Sequence, residues 1–104
     1  MDVDAIFKAI EKALATLWSP QNRSIIQLMP PRISLMSYEE VVDYLRYHLE
    51  HLRPSVEVMA SVYTDFQSTL DRYLTARKCL NEMVDPRITM AIRTIIDNLK
   101  LACS

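Results

Sequence analysis

The chain has 104 residues, of which 50% are apolar and 24% charged, and its net charge is −1. This length and composition predict one globular domain covering residues 1 to 104, and they exclude a disordered protein. The nearly balanced charge also excludes a general attraction to nucleic acid or to an anionic membrane, so only a local patch could bind either.

The sequence contains no glycine. Phosphate-binding loops, dinucleotide-binding turns and the turn that carries a hydrolase nucleophile depend on glycine, because their backbone approaches a ligand closely or adopts a positive φ. Tight β-hairpin turns depend on it as well. The absence argues against these enzyme classes and against a β-meander, and it favours helices joined by proline-containing turns.

The first segment predicts an amphipathic helix over residues 3 to 18. Apolar residues recur at steps of three and four from Val3 to Leu17, as on one face of a helix. Aspartates at positions 2 and 4 suit a helix N-terminus. We expect the helix to end at Ser19, because the residue before a proline is disfavoured in the α region.

Residues 19 to 37 form a crossover that no long helix can span, because it contains Pro20, Pro30 and Pro31. The crossover is rich in aliphatic side chains: Ile25, Ile26, Leu28, Met29, Ile33, Leu35 and Met36. A solvated linker needs no such residues. The crossover is therefore expected to pack across the other helices.

A second helix is predicted over residues 38 to 52. Ser37 followed three residues later by Glu40 is a capping box, and an apolar stripe comes directly after it. Pro54 ends the helix. A third helix, capped by Ser55, is predicted over residues 55 to 83, with Leu80 and Met83 in its apolar stripe. Its length of roughly 40 Å exceeds that of its neighbours, and an uncovered end would suit a partner.

A fourth helix is predicted over residues 86 to 102, because Asp85 is a good N-cap and Pro86 suits the first helical position. This helix is apolar over most of its circumference, so it lies either at the centre of its own fold or against another chain. The four helices and the crossover predict an all-α, four-helix bundle-like domain.

No group of residues predicts catalysis, a cofactor or a metal site. His48 and His51 are three residues apart on the second helix, but a zinc site needs two further ligands that no motif supplies. Cys79 and Cys103 are too few for a disulfide framework, which favours a cytoplasmic or nuclear, and hence reducing, location. We therefore predict a non-enzymatic intracellular protein.

The function that these patterns favour is protein–protein interaction through helix packing, with another protein or a second copy as partner. No segment is long and apolar enough to cross a membrane, and no small-molecule substrate is evident. Two groups of side chains do not fit the core stripes and are the predicted contacts. They are Met90, Ile96 and Leu101 on the fourth helix, and Tyr44, Arg46 and Tyr47 on the second.

The alternative is a helical nucleic-acid-binding domain. Residues 66 to 104 contain six Lys or Arg against four acids, so the third and fourth helices could present a basic face. The phosphate contacts would come from Arg72, Arg77, Lys78, Arg87 and Arg93. A steep fall of affinity with salt would distinguish this function from apolar docking.

Overall fold

A computed structural model describes residues 2–103, and it describes the side chains of all of these except residues 52–55. Residues 2–103 are 83% helical and contain no strand. This confirms the all-α, bundle-like prediction. The helices are α1 (Val3–Leu17), α2 (Arg23–Ile26), α3 (Pro31–Ser34), α4 (Tyr38–Glu50), α5 (Leu52–Cys79) and α6 (Pro86–Cys103), with a 3₁₀ turn at Pro20–Asn22.

Helices α4 and α6 begin where the sequence predicts caps. The Ser37 hydroxyl accepts a hydrogen bond of 3.1 Å from the backbone N–H of Glu40, whose carboxylate accepts one of 3.0 Å from the N–H of Ser37. The Asp85 carboxylate accepts a hydrogen bond of 2.9 Å from the N–H of Arg87 at the start of α6. Each cap satisfies donors that the first turn of a helix leaves without a partner.

Helix α6 is the central helix of the fold. It packs against both α1 and α5, and its Ile92, Ile95 and Leu99 are fully buried. Helix α4 packs on α1 and α5 from the other side. The extensive apolar surface of α6 is therefore explained by its own fold, which is the first of the two possibilities that its sequence left open.

Helices α1 and α4 run antiparallel. The Tyr38 hydroxyl at the start of α4 donates to the carbonyl of Glu11 in α1, while the Arg46 guanidinium further along α4 lies 4.7 Å from the centre of the Phe7 ring. At about 1.5 Å per residue, the 28 residues of α5 are as long as the largest dimension of the molecule, 42 Å. No residue from 74 to 85 is buried, so the far end of α5 extends beyond the core.

The crossover packs against the bundle, as predicted. Its Ile25, Ile26, Met29 and Ile33 are buried. Hydrogen bonds of polar side chains fix the crossover to α1 and α5. The Trp18 indole N–H donates to the carbonyl of Met36 at 2.9 Å. The Arg32 guanidinium in the crossover donates to the Asp65 carboxylate at 2.8 Å. The Arg72 guanidinium in α5 donates to the carbonyl of Leu28 at 2.7 Å.

Two helix boundaries differ from the prediction near Pro54. Helix α4 ends at Glu50, and α5 begins at Leu52 rather than at Ser55. A proline is tolerated in the first turn of a helix, because the N–H that it lacks would have no intrahelical partner there. Pro54 therefore lies inside α5 instead of preceding it. The side chain of Ser55, which the sequence predicts as a cap, lies outside the described residues.

The other end of α5 differs more. The helix ends at Cys79, not at residue 83, because Asn81 adopts the left-handed conformation with φ 53°. The N–H of Glu82 donates to the carbonyl of Arg77 at 2.8 Å. The N–H of Asn81 donates to the carbonyl of Lys78 at 3.1 Å. This is a Schellman motif, in which asparagine replaces the usual glycine. Leu80 and Met83 consequently leave the predicted core stripe.

Candidate functional site

Exposed aliphatic side chains gather where α5 ends and α6 begins. Leu80 is 66% exposed and Met83 is 89% exposed, and Val84 beside them is also exposed. Met90, one turn inside α6, is 68% exposed. We call residues 77–87 the α5–α6 tip. Three exposed aliphatic residues thus occur within five positions of the chain, a denser group than the scattered single residues that are normal on protein surfaces.

The α5–α6 tip is held in one conformation by contacts within the chain. Besides the Schellman motif, Arg77 forms an ion pair with Glu82 and places its guanidinium 5.3 Å from the centre of the Tyr73 ring. Tyr73 is buried, and its hydroxyl accepts a hydrogen bond of 2.9 Å from the N–H of Asp85. The apolar side chains of the tip are therefore presented on an ordered backbone, which lowers the entropy cost of binding.

The charges of the α5–α6 tip are partly neutralised within it. Glu82 pairs with Arg77, and Asp85 pairs with Arg87 at 3.4 Å. Hydrogen bonds from the backbone and side chain of Arg87 hold the pKa of the Asp85 carboxyl below its ordinary value. Lys78 has no ion pair with any described residue. The tip therefore carries one uncompensated positive charge.

The predicted contacts on α6 do not lie together on one surface. Met90 and Leu101 are exposed near opposite ends of the helix. Ile96, which the sequence places among the partner contacts, is only 3% exposed and belongs to the core, so its side chain is not accessible on the surface of this fold. Helices α1 and α5 both pack on α6, and Ile96 is one of the residues of α6 that the fold buries.

The predicted contacts on α4 do not form one surface. Tyr47 is exposed, and its ring lies 4.7 Å from that of His51. Tyr44 is half-buried against the core and its ring lies 4.6 Å from that of His48. Arg46 faces α1 instead, where it pairs with Glu11 at 3.4 Å. The structure thus gathers the tyrosine and histidine rings and separates Arg46 from them.

The cations proposed for nucleic-acid binding are largely engaged inside the chain. Arg72 donates to the carbonyl of Leu28, and Arg77 and Arg87 pair with acids of the tip. Lys78 and Arg93 are exposed and form no ion pair with a described residue. Two such cations make a much smaller phosphate-binding surface than the five that the sequence suggested.

A groove of about 660 Å³ lies between the end of α1 and the crossover. Trp18, Ile26 and Met36 line it, and Leu35 stands 82% exposed at its edge. Its charged lining residues are Arg23 and Glu40, and Glu40 is already occupied by the capping box. The groove thus offers an apolar hollow with little to orient a ligand.

Chemical groups for catalysis or metal binding are not brought together in the described part of the chain. No three His, Cys, Asp or Glu side chains among those residues lie close enough to hold a metal ion. Cys79 is exposed and Cys103 is half-buried; both are free thiols, and burial raises the pKa of the Cys103 thiol.

None of the helices formed by the described residues has the length and apolar character needed to cross a membrane. Comparison with known protein families, with curated proteins and with solved structures finds no match to this chain. Its function is therefore inferred from its own surface, of which the α5–α6 tip is the most distinctive part.

Sequence patterns missed the apolar side chains of the tip. The helical period from Met59 onward includes Leu80 and Met83, so both were assigned to the core. Asn81 is the signal that Leu80 and Met83 do not belong to the core of α5. Asparagine is the residue that most often replaces glycine in the left-handed position after a helix. Asn81 is therefore the residue in the sequence that could have indicated the end of α5.

Proposed function

We propose that this chain is a non-enzymatic protein–protein interaction domain that binds another protein through the α5–α6 tip. The observation that carries the proposal is the exposure of Leu80, Met83 and Val84 on a turn ordered by its own hydrogen bonds. Aliphatic side chains on an ordered, protruding turn fit a pocket or groove of a partner at low entropy cost.

The proposed contact is a transient one. Full burial of an aliphatic side chain is worth about 1.5–3 kcal/mol, whereas association costs roughly 4–15 kcal/mol in lost freedom of the two molecules. Leu80, Met83 and Val84 are already partly buried, so burying the rest of their surface offsets only part of that cost and does not give high affinity. Met90 on α6 would extend the contact and increase the affinity.

We also propose an intracellular location. The free thiols of Cys79 and Cys103 support it, because reducing compartments keep cysteines in this form. An exposed thiol such as that of Cys79 would be prone to oxidation outside the cell.

Photo-cross-linking tests the proposed function. Met83 is replaced by a benzophenone amino acid in the full chain, which is expressed in the cells that naturally contain it. The matched control carries the same amino acid at Leu35, which is nearly as exposed but lies on the crossover. We expect discrete adducts with another protein from position 83 and none from position 35.

The double substitution Leu80→Glu and Val84→Glu should remove the position 83 adducts. Both side chains are exposed, so the fold should tolerate the change, and circular dichroism checks that it does. Absence of adducts from position 83, or equal adducts from both positions, would overturn the proposed function.

A further inference from the structure

We infer that the segment docking on the α5–α6 tip is an acidic amphipathic helix of the partner protein. This inference rests on the proposed function and adds the chemistry of the partner to it. Two observations carry it: the sign of the charge around the exposed aliphatic residues, and the positions of those residues at the start of α6.

The surface that adjoins the exposed aliphatic residues is basic, although the whole chain has a net charge of −1. The tip has three cations against two acids, and Lys78 is the cation left without an acid among the described residues. On the outward side of α6, Arg93 is exposed one turn beyond Met90, and Asp97 and Lys100 are exposed further along the helix. Carboxylates on a partner would complement this surface.

The apolar positions continue from the tip onto α6. Met83 and Val84 stand just before the helix starts, and Met90 lies one turn inside it on the exposed side. A partner helix presents apolar residues every three or four positions, about 5–6 Å apart. Such a helix can contact the tip with one turn and Met90 with another, while acids on its flanks approach Lys78 and Arg93.

A second copy of this chain fits the same surface less well. In a symmetric dimer the same patch lies on both sides of the interface, so two surfaces with the same positive net charge would meet. Nucleic acid fits less well for a different reason: it would pair with the cations but leave Leu80 and Met83 exposed to water. An acidic amphipathic helix satisfies both the charges and the apolar side chains.

Fluorescence anisotropy with synthetic peptides tests the inference on the full chain. The probe is a labelled peptide of about five helical turns, built from Leu, Glu and Ala with its leucines on one face. One control peptide has the same composition in scrambled order, and a second has lysine in place of glutamate. A short DNA duplex is titrated in parallel at about 50 and 200 mM salt.

We expect the acidic amphipathic peptide to bind at least about tenfold more tightly than either control peptide, a difference of 1.4 kcal/mol. Leu80→Ser with Met83→Ser should abolish its binding, and Lys78→Glu should weaken it about three- to tenfold. Leu35→Ser, an equally exposed aliphatic position outside the tip, should leave the affinity unchanged.

Equal affinity for the scrambled peptide, preference for the lysine peptide, or no peptide binding would each overturn the inference. Tighter binding of DNA with a steep salt dependence would overturn it in favour of the basic-face alternative. These failures differ from failure of the proposed function: adducts at position 83 with a partner segment that is not acidic would leave the interaction domain intact and reject only the acidic helix.

Discussion

The hydroxyl of Tyr73 accepts a hydrogen bond of 2.9 Å from the backbone N–H of Asp85, twelve residues later in the chain. Tyr73 is buried in α5, and Asp85 caps α6 through its side chain. The contact therefore closes the loop between the two helices at its base. Order in the α5–α6 tip and the correct start of α6 depend on the same hydroxyl group.

Tyr73→Phe should loosen the tip without disturbing the core. The ring that packs under Arg77 is retained, but the N–H of Asp85 loses its acceptor, which costs about 1–2 kcal/mol of the free energy of unfolding. Hydrogen exchange of the amides at residues 80–85 should become faster. Tyr63→Phe is the control, because it keeps the ring beneath Lys100 and lies away from the tip; similar exchange in both variants would contradict this role of Tyr73.

Asn81 should tolerate only residues that accept positive φ. Asn81→Gly should keep or slightly raise the melting temperature, since glycine adopts this conformation at no steric cost. Asn81→Val should lower the free energy of unfolding by about 1–2 kcal/mol, because a side chain branched at Cβ is strained there. Thermal denaturation of the two variants compares them directly. Equal stability would show that the left-handed turn is not needed in solution.

The burial of Ile96 predicts a strong contrast with Met90 on the same helix. Ile96→Ala should lower the free energy of unfolding by about 2–4 kcal/mol, as expected for a cavity in a packed core. Met90→Ala should change it by less than about 0.5 kcal/mol, because an exposed side chain contributes little. Urea denaturation measures both. A small effect of Ile96→Ala would indicate that α6 is less central than its contacts imply.

The capping box predicts one component of the acid sensitivity of the fold. Hydrogen bonds from the backbone and side chain of Ser37 hold the pKa of the Glu40 carboxyl below its ordinary value of 4.5. The stabilisation is therefore complete above that pH and is lost as the pH falls through the lowered pKa. Glu40→Gln should therefore weaken the fall of the melting temperature with falling pH, measured by thermal denaturation between pH 6 and pH 3. An unchanged profile would rule out this contribution.

The packed crossover should resist proteolysis in the native protein. Arg32 is held by Asp65 and by the Ser61 hydroxyl, and buried isoleucines lie on both sides of it. Trypsin should therefore cleave between residues 23 and 32 no faster than the protein unfolds globally. Mass spectrometry of the early fragments identifies the sites. Rapid cleavage in this segment would show that the crossover opens independently of the bundle.

Most of the fold could be predicted from local signals. The capping box at Ser37 and the Asp85–Pro86 start place two helices, and the periodicity from Val3 to Leu17 places a third within one residue of its observed end. These signals are local because a cap or an apolar stripe acts within a few turns of the chain. The aliphatic content of the crossover likewise predicted its burial.

The surface was harder to predict, because exposure depends on which helices become neighbours. Ile96 lies beside the main stripe of α6, yet the packing of the other helices leaves it only 3% exposed. Met83 fits the period of α5 but lies beyond the turn at Asn81. The sequence pattern predicts that Arg46 of α4 is an exposed contact residue, yet its guanidinium lies over the ring of Phe7 in α1. Each case depends on tertiary contacts that a single segment does not encode.

The hydrogen bond between the Trp18 indole and the carbonyl of Met36 has a spectroscopic consequence. Trp18 is the one tryptophan of the chain, and its half-buried ring lies where the crossover rejoins the bundle. Its emission therefore reports on docking of the crossover, at a site separate in sequence from the α5–α6 tip. Intrinsic fluorescence can follow that docking without a label, leaving the tip free for a second, independent probe.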